Sequence, residues 1–350
     1  MKILVTGGAG FIGSHACEYF ARKGDEVMAF DNLGRGRILG KEINQSYNLD
    51  FLKGLGNVEF IKGDIRDFKT LRMLCKDVDV IIHTAAQVAV TTSLKNPRED
   101  FEINTLGTFN VLEAARLSSK DPTIIYCSTN KVYGNNVNKI PVIEREKRYE
   151  FGDKRYKKGI PEDFPIDSCE HTPYGSSKLS GDIYVQDYSH AYGLKTGVFR
   201  MSCIYGTRQF GVEDQGWVAW FVIATLLEKT LTIYGDGKQV RDVLHVSDLI
   251  RAYDLFIESN TKQSVFNIGG GSENTLSLLE LLDLLEEITG KRAKIGYDDW
   301  RASDQKVYIS DITKIKKELN WEPKIESKEG IKDLTEWVKS NKYLFQGGEK

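Results

Sequence analysis

The sequence predicts an α/β fold, a doubly wound parallel sheet with a smaller C-terminal lobe. Three observations carry that expectation. Strand-like apolar runs alternate with helix-like stretches through the first half of the chain. A glycine-rich turn, Gly7-Gly8-Ala9-Gly10-Phe11-Ile12-Gly13, joins the first strand to the first helix. An acid, Asp31, stands at the end of the second strand.

Lys2 to Thr6 reads as a short buried strand, Ser14 to Lys23 as a helix and Glu26 to Phe30 as the next strand. Val58 to Ile61, Val78 to His83, Thr123 to Ser128 and Thr196 to Arg200 read as further strands. Phe101 to Leu117 and Ser177 to Ala191 read as helices. Gly7, Gly10 and Gly13 leave room for a tight turn, for close backbone approach to a pyrophosphate and for packing of the helix on the strand. The helix N-terminus offers unpaired N–H groups and a positive dipole end to phosphates. Asp31 is placed to accept hydrogen bonds from an adenosine ribose, which favours NAD over NADP because a 2′-phosphate would be repelled. The expected fold is therefore Rossmann-type, with NAD as cofactor.

Domain boundaries are read from the change in pattern. Residues 1–190 are expected to form the NAD-binding Rossmann domain, with 238–265 returning to it. Residues 191–237 and 266–350 are expected to form the substrate-binding lobe. Asn136 to Ser168 is polar and charged, and reads as a long inserted loop, either a solvated excursion or a substrate lid. Ser277 to Thr289 reads as an amphipathic helix with Leu278, Leu279, Leu281, Leu282, Leu284 and Leu285 on its apolar side, packed on the core.

Composition narrows the function. Hydrophobic content of 41% and charged content of 28% are ordinary for a globular protein. A net charge of −2 gives no general field for nucleic acid or an anionic membrane. The longest apolar run, Trp217 to Leu227, is too short to span a bilayer and reads as a core helix. The chain enters its first strand at once, so no signal peptide is expected. Cys17, Cys75, Cys127, Cys169 and Cys203 lack paired spacing and read as free thiols in a cytoplasmic protein. The histidines show no ligand spacing, and no metal site is expected.

Chemistry concentrates at Tyr174-Gly-Ser-Ser-Lys178. Tyrosine and lysine four apart share one helix face. An ammonium beside a phenol stabilises the phenolate, which can then exchange a proton with a sugar hydroxyl. Thr129, after another strand, offers a hydroxyl to the same oxygen. These three groups suit alcohol–ketone interconversion beside a nicotinamide.

With these motifs the chain resembles the extended short-chain dehydrogenase/reductases, the nucleotide-sugar epimerases and dehydratases. The resemblance runs through Asp31-Asn32-Leu33, Gly63-Asp64-Ile65-Arg66-Asp67, His83-Thr84-Ala85-Ala86-Gln87, Asn104 to Asn110, Val132-Tyr133-Gly134, Tyr174 to Lys178, Arg241 to Val246 and Phe266 to Gly270. It implies that Thr129, Tyr174 and Lys178 are catalytic. It places Gly7, Gly10, Phe11, Ile12, Gly13, Asp31, Asn32, Arg35, Asp64, Ile65, Ala85, Ala86, Gln87, Asn104, Tyr174 and Lys178 at the cofactor. Asn104 is assigned a place beside the lysine.

The dehydratase branch of that family carries Asp-Glu directly after the threonine. Here those positions are Asn130 and Lys131, which cannot act as carboxylates, so epimerisation is the expected reaction. Gln87 to Ser93, Ser128 to Gly134, Arg208-Gln209-Phe210, Asp214 to Trp217, Gly237 to Asp242 and Ser303-Asp304-Gln305 are similar to the CDP-paratose 2-epimerase subgroup. That similarity implies inversion at C2 of a CDP-deoxyhexose through a transient keto sugar; a UDP-hexose 4-epimerase is the alternative. It assigns Gln87, Thr129, Asn130, Lys131, Cys203, Gln209, Gln215, Arg241 and Arg301 to the nucleotide sugar, with the two arginines gripping the diphosphate. By the same analogy the chain is expected to be a homo-oligomer, a dimer or tetramer.

Overall fold

A computed structural model describes residues 1–40, 46–301 and 303–346. These residues divide into two compact units.

The first unit comprises Met1–Val132, Thr172–Arg200 and Ile250–Phe266. Its strands are β1 (Lys2–Thr6), β2 (Glu26–Asp31), β3 (Val58–Lys62), β4 (Val80–His83), β5 (Thr123–Thr129), β6 (Thr196–Met201) and β7 (Gln263–Ile268). They lie in the order β7-β6-β5-β4-β1-β2-β3. The pairs β1–β2, β1–β4, β2–β3 and β4–β5 are parallel. The chain thus leaves β1 toward β2 on one side and returns to β4 on the other, and ligands bind beyond strand ends at such a reversal. Helix α1 (Phe11–Arg22) starts earlier than the sequence reading places it, because the fingerprint's last residues already take helical geometry. The inner strands are buried on both faces: Ile3, Leu4, Val5, Ile81, Ile82 and Ile125 are fully enclosed.

Two glycines let these elements close. Gly7 holds φ of +71°, where an added Cβ would sit 2.7 Å from the Ala85 nitrogen. A Cβ at Gly181 would run into the Tyr126 hydroxyl, so this glycine lets the Thr172–Tyr192 helix lie directly on β5.

The second unit comprises Tyr133–His171, Met201–Leu249 and Asn267–Lys350. Its central strand, Val240–His245, pairs in parallel with Cys203–Tyr205 and Val307–Tyr308, and antiparallel with Thr275–Ser277. The Trp217–Leu226 helix is apolar all round and buried, as its composition requires. The Leu278–Thr289 helix starts at a capping box between Ser277 and Glu280 and ends at Gly290. Leu281 and Leu285 carry its buried face into a core with Tyr205, Phe221 and Leu334.

The division differs from the expected boundaries. Residues 133–171 group with the second unit, 191–200 with the first, and 250–266 return to the first where 238–265 were expected. The expected long loop carries its own structure. Val142–Glu144 and Tyr149–Phe151 form an antiparallel hairpin, and Val137, Ile140, Tyr149, Ile160 and Phe164 are buried. Its dense charge hides the few apolar side chains that anchor it.

Candidate active site

Thr129 is the last residue of β5, and Tyr174 and Lys178 lie one turn apart on the Thr172–Tyr192 helix. All three are buried. The Thr129 hydroxyl donates to Asn130 Oδ1 at 3.3 Å and favours the ionised form of the Tyr174 phenol. The helix start is pinned by the Tyr174 N–H donating to Ser93 Oγ at 3.1 Å. Lys178 points its ammonium over the Tyr126 ring, 4.3 Å from the centroid.

Electrostatics in this pocket depart from the expectation of an acidic phenol. Burial pushes the Tyr174 phenol up to about 12, against the influence of the Thr129 hydroxyl, which lowers it. Burial pushes the Lys178 ammonium down to about 8. Loss of water disfavours both charged forms and is the largest influence on each.

Two buried carboxylates hold this constellation. Asp182, fully buried one turn after Lys178, accepts from Ser128 Oγ at 2.6 Å and from Arg200 Nε at 3.0 Å. It ties the helix to β5, beside Thr129, and to β6. Asp100 accepts from Ser177 Oγ at 2.5 Å, from Gln87 Nε2 at 2.6 Å and from Asn104 Nδ2 at 3.2 Å. Asn104 sits in a π-turn, Glu102–Leu106, and also donates to Ser177 Oγ at 3.1 Å and to the Gln87 carbonyl at 3.0 Å. The sequence reading missed Asp100, Ser177, Asp182 and Arg200. Asp182 shares the Tyr174–Lys178 face by its four-residue spacing, a signal that was readable. Asp100 precedes Asn104 by four residues, but its bond to Gln87 is non-local.

Gln87 is placed differently from its assignment to cofactor and sugar. Its amide nitrogen donates to Asp100 and to the Ala89 carbonyl, and its oxygen accepts from the Ala89 N–H at 2.5 Å. Only 2% of the residue is exposed, so its side chain braces the protein.

Of the residues expected at the cofactor, all but Asn104, Tyr174 and Lys178 lie at or after the carboxyl ends of β1, β2, β3 and β4. Gly10 caps α1 without a side-chain hydrogen bond, so side-chain capping does not occupy the first N–H groups, at Phe11, Ile12 and Gly13. Asp31 accepts from the Ala9 N–H at 3.1 Å and the Leu33 N–H at 2.7 Å, fixing the glycine turn against β2. Asn32 donates to Asp64 at 2.8 Å. Asp64 also accepts from Arg66, whose guanidinium holds the carboxyl down to about 2. Ile65 is buried, and Arg35 has its guanidinium pushed down to about 10 by burial. N–H donors at an uncapped helix start beside a carboxylate acceptor are the set a dinucleotide requires, so these residues fit NAD.

The sugar-side candidates of the second unit are engaged with protein groups. Arg241 pairs with Asp304 at 2.6 Å and donates to the Val240 carbonyl at 2.8 Å. Arg301 donates to the Glu213 carbonyl at 3.1 Å and stacks 3.9 Å from the Tyr234 ring centroid. Gln209 is buried with Oε1 lacking a hydrogen-bond partner, Gln215 pairs its backbone with Val212, and Cys203 Sγ accepts from the Trp217 indole at 3.2 Å. Asn130 and Lys131 follow Thr129, and the Lys131 N–H donates to Thr129 Oγ1 at 3.2 Å. Among the described residues no cluster of His, Cys, Asp or Glu could hold a metal ion, and no helix is long and apolar enough to cross a membrane.

Residues 4–334 match the family described as GDP-mannose 4,6 dehydratase. The chain belongs to that family. Within it, the chain is 43% identical to the CDP-paratose 2-epimerase of Salmonella typhi, over 97% of this chain and 100% of that protein. It is 36% identical to a putative UDP-glucose 4-epimerase of Methanocaldococcus jannaschii, over 97% of this chain and 99% of that one. The solved UDP-glucuronic acid 4-epimerase of Bacillus cereus, in complex with UDP-glucuronic acid and NAD, is similar with a TM-score of 0.81 and 29% identity, covering 97% and 100% of the two chains. The seven-stranded sheet of the first unit is the family's Rossmann-type sheet.

Proposed function

We propose that the chain is an NAD-dependent nucleotide-sugar epimerase acting at C2 of a CDP-deoxyhexose. The observation that carries this reading is the buried set of Thr129, Tyr174 and Lys178, with Asn130 and Lys131 where the dehydratases place acids. Identity of 43% to a CDP-paratose 2-epimerase supports C2 as the carbon.

The Phe11, Ile12 and Gly13 N–H groups would hold the pyrophosphate of NAD, Asp31 the adenosine ribose, and Asp64, Ile65, Ala85 and Lys178 the remainder. When bound, NAD supplies a reversible hydride acceptor at the sugar carbon. Tyr174 takes the proton of the hydroxyl on that carbon through its phenolate oxygen. Thr129 hydrogen-bonds the same oxygen and keeps it on the phenol's side. Lys178 stabilises the phenolate by charge. After the keto sugar turns, Tyr174 returns the proton to the opposite alcohol. Arg241 and Arg301 exchange their carboxylate and carbonyl partners for the diphosphate.

A UDP-hexose 4-epimerase is the second reading, supported by the 36% identity to a putative UDP-glucose 4-epimerase. Incubation with CDP-paratose and UDP-glucose in ordinary and deuterated water, followed by product NMR, separates the two. Inversion at C2 without solvent deuterium is expected. Inversion only at C4 of UDP-glucose would reject the C2 assignment.

A further inference from the structure

The Asp100 carboxylate is 1% exposed and has no place in the proton path described above. Three donors converge on it from three segments: Ser177 of the catalytic helix, Gln87 after β4, and Asn104 of the π-turn. Burial pushes this carboxyl up, and the donors from Ser177 and Gln87, with the Lys178 charge, oppose that by favouring the acceptor-only carboxylate. Ser177 is the residue between the two catalytic side chains' turns, and its hydroxyl also lies 3.1 Å from the Tyr174 carbonyl. We propose that Asp100 is a positioning residue for Tyr174 and Lys178: it locks the first turn of their helix through Ser177 and lends the buried ammonium a fixed counter-charge. This rests on the reading of those two residues as the catalytic pair.

Lys178 is faced from every side by groups that bear on its charge. Asp100 approaches from the Pro97–Phe101 helix, Tyr126 and Cys127 from β5, His83 from β4, and Tyr174 and Asp182 from its own helix. His83 is held uncharged by burial, pushed down to about 3. Cys127 is pushed up to about 11 and stays a thiol. The carboxylates of Asp100 and Asp182 are therefore the negative charges available to the ammonium, and Asp182 is already paired with Arg200 at 3.0 Å. Among the described residues, that leaves Asp100 as the carboxylate beside Lys178 with no guanidinium partner.

Asp100→Asn is a clean removal of that charge. The new amide oxygen can accept from Gln87 and Asn104, and its nitrogen can donate to Ser177 Oγ. The Ser177 hydroxyl then turns to the Tyr174 carbonyl, already within reach. Removing a negative charge favours the deprotonated form of every neighbour, neutral lysine and phenolate alike.

The test follows the holoenzyme labelled with carbon-13 at the lysine ε-carbons. One lysine is expected to titrate near about 8, assigned by its loss in Lys178→Met. In Asp100→Asn that titration is expected to move down by about half a pH unit or more, with both limbs of the kcat profile on CDP-paratose moving the same way. An unmoved Lys178 titration in folded Asp100→Asn would overturn the proposal. If that variant does not fold, Ser177→Ala decides: kcat down about tenfold with KM kept is expected from loss of one buried bridge, and an unchanged kcat overturns it. A moved lysine titration in a protein that turns over no nucleotide sugar would defeat the functional reading and leave the electrostatic assignment standing.

Discussion

The ammonium of Lys178 lies 4.3 Å from the centroid of the Tyr126 ring, and the Tyr126 hydroxyl donates to the Lys178 carbonyl at 3.2 Å. The tyrosine thus grips both ends of the lysine and fixes it against β5. This arrangement stores a charge where water does not reach, and the energetic consequence is measurable.

Burial lowers the Lys178 ammonium from 10.5 to about 8 in the folded chain. Between these values the unfolded chain binds the extra proton, so this residue's contribution to stability rises with pH across that window. Below it, both states are charged and the cost of burying the ammonium is constant. Lys178→Met is expected to be more stable than the parent near neutrality, with the advantage shrinking as pH climbs from about 8 toward 10.5. Urea unfolding at a series of pH values measures this; a constant difference would contradict it.

Asp182 and Arg200 form an ion pair with side chains 0% and 6% exposed. Deleting one partner leaves an uncompensated buried charge. Asp182→Ala is expected to lose about 3–5 kcal/mol of stability, read from the urea midpoint. A loss below about 1 kcal/mol, the scale of a surface pair, would mean that Arg200 finds other compensation.

Most of the first unit was legible because burial on two faces writes long apolar strands, and because Gly7, Gly10 and Gly13 with Asp31 have few other uses in that order. The burial and grouping of Thr129, Tyr174 and Lys178, proposed as catalytic, were legible for the same reason: Thr129 ends a strand and Tyr174 and Lys178 share a helix face. Asp100 was not, since its meaning depends on Gln87 and Ser177, which only folding brings to it. The bonding of Gln87 within the protein was hidden for a related reason. A polar residue after a strand suits a ligand as well as a brace, and its bonds to Asp100 and Ala89 come only with the fold. The hairpin at Val142–Phe151 was hidden by surrounding charge, and the boundaries of the two units were blurred because the chain passes repeatedly from one unit to the other.

Arg241 is held by Asp304 in this structure. If it is to grip a diphosphate, Arg241→Ala is expected to raise KM for CDP-paratose about tenfold or more while kcat changes little, the signature of lost binding common to ground and transition states. Initial-rate kinetics check it. A fall in kcat with KM unchanged would place the guanidinium in the chemistry instead.

The central claim is that the Tyr174 phenol carries the sugar's proton while NAD stays bound. Tyr174→Phe keeps the ring and removes the hydroxyl, and its turnover of CDP-paratose, measured beside the NAD extracted from the purified protein, addresses that claim most directly. The expected result is kcat lower by about 10²–10⁴-fold with the same NAD content as the parent. Turnover equal to the parent's would contradict it.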